Sequence, residues 1–184
     1  MPDLAYLPGG TSVFVDTNIF HYHFQGLSVT CTAFIDRVAN HEIEAYVNTQ
    51  VLSDLLHKLM MSEAIRKNCM KKGSNPQALK KYLKGIRGQP NPLGDCEIQF
   101  ASVLAFGVQV LPINEKLFLD TKNDRQHYYL MTGDSLHLGT MNRRNVPLQD
   151  IVTKDADFAL IPGITAWMPM DTPGDEINTT KVTS

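Results

Sequence analysis

The stretch Ser12-Val13-Phe14-Val15-Asp16-Thr17-Asn18 carries the strongest structural signal in the chain. Its first four residues are a short β-prone run, and the run stops abruptly at a carboxylate followed by two polar side chains. In open parallel sheets, ligands bind beyond the carboxyl ends of the strands. This segment therefore predicts a buried strand with a functional aspartate, Asp16, at its end.

Further short strands and longer helical stretches alternate along the rest of the chain. Strands are predicted at 44–47, 108–111, 150–153 and 164–167, and helices at 28–39, from about 51 to 60, 76–88, 95–106, 114–125 and 133–144. Strands that alternate with helices favour an α/β sandwich around a mostly parallel central sheet.

Length and composition are those of one globular domain. The chain has 184 residues, of which 43% are hydrophobic and 20% charged. We predict a flexible lead-in at 1–11, a domain at 12–168 and a loosely held tail at 169–184. No apolar run is long enough to cross a membrane, and the N-terminus lacks the profile of a signal peptide.

The cysteines indicate a reduced, cytoplasmic protein. Cys31, Cys69 and Cys96 are odd in number and widely spaced, without any Cys-x-x-Cys pair. Both a disulfide framework and a thiolate zinc site are therefore disfavoured.

Positive charge is concentrated in one segment, although the net charge is only −2. Between residues 58 and 88 a single acid, Glu63, opposes nine of the 17 basic residues. The segment predicts either an RNA-binding face that contacts phosphates or an ordinary solvated helical surface. The basic residues are Lys58, Arg66, Lys67, Lys71, Lys72, Lys80, Lys81, Lys84 and Arg87.

Three more aspartates stand where a ligand site could form. Asp155 follows the predicted strand at 150–153, with Asp157 two residues later, and Asp134 opens a predicted helix. Two of them have a plainer interpretation, because Asp134 suits a helix N-terminus and Asp155 suits a turn.

Three motifs and a closing run follow one another along the chain. They are Asp16-Thr17-Asn18, then Gly133-Asp134-Ser135-Leu136-His137-Leu138, then 152–158, followed by the closing run 160–164. Taken together, they resemble the PIN-domain family of metal-dependent nucleases. The resemblance spans about residues 12–167. It implies a three-layer α/β/α sandwich and an acidic pocket that binds Mg²⁺ or Mn²⁺ and hydrolyses phosphodiester bonds in RNA. Many such proteins are toxins of the VapC type, which implies an antitoxin partner and a homodimer.

The resemblance also implies roles for particular residues. Asp16, Asp134 and Asp155 match three acidic metal-binding positions of the family, and Asp157 matches a less constant one. Asn18 and Thr153 match polar positions that support the site through hydrogen bonds.

The helix after the second strand departs from the family pattern. The family usually carries Glu there, whereas this chain has Asp54, which is one methylene shorter. We expect Asp54 to belong to the catalytic set, acting on the metal through water. The alternative is a surface ion pair with Lys58, four residues along the same helix.

Two other functions stay open at this point. A PIN-like fold could hold RNA or a protein after losing catalysis, and the change to Asp54 is the best argument for such a binding module. A phosphatase with an aspartyl nucleophile of the haloacid-dehalogenase type is a more distant alternative, because that family has a second Asp where this chain has Asn18.

Overall fold

A five-stranded parallel sheet organises the chain in the computed structural model, which describes residues 1–143 and 147–172. The sheet order is β3-β2-β1-β4-β5, and every neighbouring pair is parallel. The predicted sheet is thus confirmed, and the strands in it are all parallel. They are β1 (Ser12–Val15), β2 (Glu44–Asn48), β3 (Gln109–Leu111), β4 (Asp150–Val152) and β5 (Thr165–Trp167).

Helices join these strands and complete the predicted α/β/α architecture. Most begin within two residues of their predicted start. They are α1 (Thr17–Phe24), α2 (Val29–Ala39), α3 (Thr49–Arg66), α4 (Pro76–Gly85), α5 (Asp95–Ala105), α6 (Glu115–Asp120), α7 (Lys122–Tyr128) and α8 (Thr132–Asn142), with short 3₁₀ turns at Leu4–Tyr6 and Ala156–Leu160.

The central strand β1 lies in the core, as its apolar sequence predicts. Val13, Phe14 and Val15 are fully buried, because helices cover both faces of a parallel sheet. β1 pairs with β2 on one side and with β4 on the other. The residues that follow β1 and β4 are consequently neighbours in space, although about 140 positions separate them in the sequence.

Two helical regions differ from the prediction. α1 begins directly after β1 and buries Ile19, Phe20 and Tyr22, although no helix was predicted there. The helix predicted at 114–125 is instead α6 and α7, which meet at Thr121. The Thr121 hydroxyl donates to the carbonyl of Phe118 at 3.2 Å, and such side-chain bonds to the backbone compete with a continuous helix.

The N-terminal segment is packed rather than flexible as predicted for 1–11. Leu4 and Leu7 are buried at 1% and 2% exposure, and the backbone N–H of Leu4 donates to the carbonyl of Met168 at 2.9 Å. Burial of Leu4 and Leu7 and the hydrogen bond to Met168 thus anchor the N-terminal segment against the C-terminal part of the domain.

The far C-terminus of the predicted tail, residues 173–184, lies outside the described residues. Before that point, the Asp171 carboxylate accepts hydrogen bonds from the Ser28 hydroxyl at 2.6 Å and the Thr30 N–H at 3.0 Å. The first residues of the predicted tail are therefore tied to the start of α2. Within the described ranges, no helix combines the length and hydrophobicity that a membrane span requires.

Candidate active site

A pocket of about 270 Å³ opens at the carboxyl ends of β1 and β4, and four aspartates line it. Asp16 follows β1 and Asp155 follows β4, while Asp54 lies on α3 and Asp134 on α8. We call this site the acidic pocket. The sequence analysis selected all four residues as catalytic candidates, and the fold brings them together from four separate segments.

Thr153 connects two of these carboxylates through its hydroxyl group. The hydroxyl donates to Asp16 Oδ2 at 2.9 Å and accepts from the backbone N–H of Asp155 at 3.0 Å. Thr153 itself is fully buried, and its own N–H donates to the carbonyl of Trp167. The threonine thereby fixes the Asp16 side chain relative to the turn that carries Asp155.

Asp16 occupies the N-cap position of α1, yet its carboxylate does not cap the helix. An aspartate at this position ordinarily accepts from a backbone N–H of the first turn. Here the carboxylate instead accepts from Thr153, and the Asp16 N–H extends the sheet by donating to the carbonyl of Val152 at 3.0 Å. The backbone is thus held by the sheet while the carboxylate stays directed to the pocket.

Asp134 experiences the negative charge of the other acids. Burial and the carboxylates of Asp155, Asp16 and Asp157 together raise its pKa from 3.8 to about 6. Like charges at close range disfavour a further ionised carboxylate. The raised pKa thus reflects the burial of Asp134 first and the gathering of the acids at one site second.

Asp54 lies in the acidic pocket rather than in the alternative ion pair with Lys58. Its Oδ1 accepts from Gln50 Nε2 at 2.9 Å, one helical turn earlier on α3. The Lys58 ammonium instead donates to Asn18 Oδ1, and both of these residues also line the pocket. Asn18 therefore positions a cation beside the carboxylates, a contact that sequence analysis did not anticipate.

Asp157 lies at the edge of the site. Its side chain is exposed and is not among the described residues that line the pocket. Its backbone N–H donates to Asp155 Oδ1 at 2.9 Å, which holds the turn after β4. Asp157 is still close enough for its charge to contribute to the raised pKa of Asp134.

A buried hydrogen-bonded link supports the floor of the pocket. Asn48 is fully buried, and its side-chain amide donates to His137 Nδ1 and to the Thr140 hydroxyl, both at 3.1 Å. Because Nδ1 accepts, the proton of a neutral imidazole lies on Nε2. Burial lowers the pKa of His137, although Asp16 and Asp54 oppose this effect. His137, at 4% exposure, therefore lines the pocket as a neutral ring.

The donor set fits a hard divalent cation. Across residues 1–143 and 147–172, no group of three or more His, Cys, Asp or Glu side chains is already clustered tightly enough to enclose a metal. Mg²⁺ does not need such a cage, because it commonly keeps several waters and takes only one or two protein carboxylates together with substrate phosphates. Four aspartates around a pocket of this size supply oxygen ligands of the required kind.

The predicted basic segment divides into three environments. Lys58 lies in the acidic pocket. Arg66 and Lys67 both form ion pairs with Asp95 at the start of α5. The remaining six basic residues, Lys71, Lys72, Lys80, Lys81, Lys84 and Arg87, are exposed.

Glu63, the one acid in that segment, is a buried structural residue with 2% exposure. Its carboxylate accepts from the backbone N–H groups of Gly94, Asp95 and Cys96 at 2.9–3.1 Å, and Lys67 Nζ lies 2.6 Å away. Burial by itself would raise the pKa of Glu63, but these donors outweigh burial and lower it to about 2. Glu63 thus joins α3 to the N-terminus of α5.

The histidines near Asp16 in sequence are engaged elsewhere. His21 Nε2 lies 3.0 Å from the Ser62 hydroxyl, and His23 Nδ1 lies 3.3 Å from the Thr32 hydroxyl. His57, by contrast, lines the acidic pocket with an exposed side chain. It follows Asp54 by three positions on α3, so helical spacing placed it on the same face.

Comparisons with known proteins agree with the fold. A family model described as the PIN domain matches residues 13–164. A toxin-antitoxin complex from Klebsiella pneumoniae is similar in structure, with a TM-score of 0.52 and 18% sequence identity over 83% of this chain and 95% of that one. VapBC2 from Rickettsia felis bound to a DNA fragment from their promoter has a TM-score of 0.47 and 13% sequence identity, over 86% of this chain and 98% of that one. The search of curated proteins gave no match.

Proposed function

Because the chain belongs to the PIN-domain family, we propose that it is an endoribonuclease that uses Mg²⁺ or Mn²⁺ to hydrolyse phosphodiester bonds in RNA. The observation that carries the proposal is the acidic pocket, where four aspartates from four segments of the chain line one cavity. PIN domains are generally nucleases. The metal, the RNA substrate and the catalytic residues are the parts that we propose for this chain.

Asp16, Asp134 and Asp155 are proposed to hold the ion, one or two of them directly and the rest through its bound waters, with Asp157 supporting it from the edge of the site. When bound, the ion supplies Lewis acidity toward a phosphate oxygen and lowers the pKa of a nucleophilic water. Thr153 keeps the Asp16 carboxylate in place. The raised pKa of Asp134 supports this assignment, because a cation is what would favour ionisation of all three acids.

Asp54 and Lys58 are proposed to position the two reactants, which are a water molecule and the scissile phosphate. Asp54 is held by Gln50 and would order a water next to the ion, since its side chain is one methylene shorter than the usual Glu. Lys58 is held by Asn18 and carries a positive charge within the same pocket. An ammonium in this place would contact an oxygen of the scissile phosphate.

The biological role is proposed to be that of a toxin in a toxin-antitoxin pair in the cytoplasm. The structural similarity to a toxin-antitoxin complex from Klebsiella pneumoniae supports the shared fold, and with it an antitoxin partner and a homodimer as proposals for this chain. Cys31 and Cys96 are buried free thiols and Cys69 is partly exposed, which suits a reducing compartment.

Incubation of the full chain with a mixed RNA pool, in Mg²⁺ and in EDTA, tests the proposal. Internal cuts that require Mg²⁺ are the expected result. Release of terminal or small-molecule phosphate without internal cuts would favour the phosphatase alternative. RNA binding without either product would favour the binding module that has lost catalysis.

A further inference from the structure

A second groove, of about 410 Å³, lies between α3 and α4 next to the acidic pocket. His57 lines both cavities, so they adjoin at this residue. The floor of the groove is apolar and includes Met60 of α3 together with Leu79 and Leu83 of α4. Its volume is within the range that binds small organic groups in proteins.

Positive charge lines one wall of this groove. Lys80 and Lys84 are four residues apart on α4, which places them on the same face of the helix, and Arg87 follows in the turn just after its end. All three side chains are exposed, and among the described residues none of them takes part in an ion pair. None of the described residues that line the groove is acidic.

An apolar floor beside a basic wall matches the chemistry of a nucleotide. A nucleobase is a flat, largely apolar ring system, and the phosphates on either side of it are anionic. Single-stranded nucleic acids bind in this way, with bases stacked on aromatic side chains and a positively charged groove along the backbone. The exposed His57 imidazole supplies a stacking surface at the entrance to the groove.

We infer that the groove between α3 and α4 is a base-binding subsite for a single-stranded segment of RNA. The inference takes its substrate class, RNA, from the proposed function. It adds the place where one nucleotide binds and the orientation of its base. One nucleotide next to the scissile phosphate inserts its base over Met60, Leu79 and Leu83 and stacks on His57. The Lys80, Lys84 and Arg87 side chains hold the neighbouring phosphates. Stacked base pairs of a duplex cannot insert a base in this way.

An acidic peptide is the competing occupant, since it would also meet the basic wall. A peptide carboxylate gains nothing from a flat ring, however, whereas a base does. The two occupants therefore differ in their dependence on the aromatic character of residue 57 and on the presence of the base.

Fluorescence anisotropy of a labelled RNA strand with the full chain in EDTA tests the inference without relying on cleavage. Three probes are compared: a short mixed-sequence strand, the same strand annealed to its complement, and a strand of equal length with abasic sites. The variants are His57→Ala, His57→Tyr and the double variant Lys80→Ala with Lys84→Ala. His127→Ala and Lys122→Ala are matched controls, because both residues are exposed on α7 and line neither cavity.

We expect the wild-type protein to bind the single strand at least about tenfold more tightly than the duplex or the abasic strand. His57→Ala should weaken binding of the single strand by at least about fivefold, with no effect on the abasic strand, and His57→Tyr should restore it. The double lysine variant should weaken binding of all three probes and reduce the salt slope for the single strand by roughly 1.4, about 0.7 for each lost phosphate contact.

Equal affinity for single strand, duplex and abasic strand would overturn the inference, as would a His57→Ala variant that binds like wild type. Displacement of the strand by polyglutamate of equal charge at the same concentration would also overturn it in favour of a peptide site. Failure of the proposed nuclease has a different signature. In that case the base-dependent binding persists in EDTA, but no RNA is cut when Mg²⁺ is added.

Discussion

The acidic pocket and the basic segment at 58–88 are two charged regions of the molecule that the fold treats in opposite ways. The aspartates are scattered along the chain from Asp16 to Asp155, yet they meet in one cavity because strand ends and helix starts converge there. The basic residues are adjacent in the sequence, yet the fold separates them. Lys58 enters the pocket, Arg66 and Lys67 pair with acids, and the others face solvent.

The difference shows which kind of sequence signal carries information about a site. Proximity in sequence says little about a charged surface, because a helix distributes neighbouring side chains around its circumference. The position of a residue relative to a strand end is more informative about a site, because all the parallel strands end at the same edge of the sheet. Substitutions in the acidic pocket and in the basic segment test this difference.

The largest expected effect on stability concerns Glu63, which sequence analysis counted only as the opposing charge of the basic segment. Glu63→Ala should lower the free energy of unfolding by about 3 kcal/mol, because it leaves the N-terminus of α5 and Lys67 without their buried acceptor. Thermal melting should fall by about 6–12 °C. Glu97→Ala, on the exposed face of α5, is the control and should melt within a degree or two of wild type.

Glu63 should also make the stability of the fold depend on pH in a direction that follows from its lowered pKa. The folded pKa of Glu63, about 2, lies below its ordinary value of 4.5. Its contribution to stability is therefore fully present above about pH 4.5 and is lost as the pH falls toward 2. The difference in melting temperature between wild type and Glu63→Gln should shrink over that interval. A constant difference would mean that shape, not charge, accounts for the role of Glu63.

An intermediate effect is expected from reversing charges on the exposed part of the basic segment. Lys80→Glu with Lys81→Glu, or Lys71→Glu with Lys72→Glu, should weaken RNA binding by about tenfold and flatten its salt dependence, through lost counterion release. Arg66→Glu should instead act mainly on stability, because Arg66 is paired with Asp95. Salt titrations of RNA affinity separate the two outcomes. Equal loss of RNA affinity in all of these variants would show that the division into three environments has no functional meaning.

The smallest effect is a stabilisation. The folded pKa of Asp134, about 6, is above its ordinary value of 3.8, so the folded state resists its ionisation. The resulting penalty is absent below about pH 4, grows through pH 6 and then stays constant. The shift corresponds to about 3 kcal/mol, which we discount to about 1 kcal/mol because the side chain is partly exposed to solvent.

Asp134→Asn should therefore melt about 2–4 °C higher than wild type in EDTA near pH 8, with little difference near pH 4. Added Mg²⁺ should stabilise wild type more than the variant, because an ion that binds the native state shifts the folding equilibrium. Asp36→Asn, an exposed aspartate on α2, is the control. A lower melting temperature for Asp134→Asn in EDTA would mean that Asp134 is a structural capping residue.

Much of the sheet could be predicted from the sequence, because its strands are short apolar runs that end at polar residues. Val13 to Val15 illustrate this, since a run that is buried on both faces has to be apolar throughout. The position of Asp16 at the end of that run was equally visible. The packed N-terminal segment was missed because two buried leucines, Leu4 and Leu7, are too few to form a periodic pattern.

The side-chain network of the site could be predicted only in part. Thr153 was recognised as a supporting residue, and its two hydrogen bonds are consistent with that role. The link between Asn48 and His137 could not be foreseen, because it depends on how β2 and α8 pack together. Lys58 was considered as an ion-pair partner of Asp54 or as part of an RNA-binding face, and His57 was not considered for the site. Both lie one turn from Asp54 on α3, so a helical projection around Asp54 would have placed both beside it.

Cleavage of RNA by Asp16→Asn, with Asp36→Asn as the matched control, tests the central claim that the gathered aspartates are catalytic. In Mg²⁺, the account predicts that Asp16→Asn loses at least about a hundredfold in cleavage rate, whereas Asp36→Asn cleaves like wild type. Asp134→Asn and Asp155→Asn should resemble Asp16→Asn, and Asp54→Asn should lose less. Cleavage by Asp16→Asn at the wild-type rate, from a protein that melts no lower than wild type, would contradict the account.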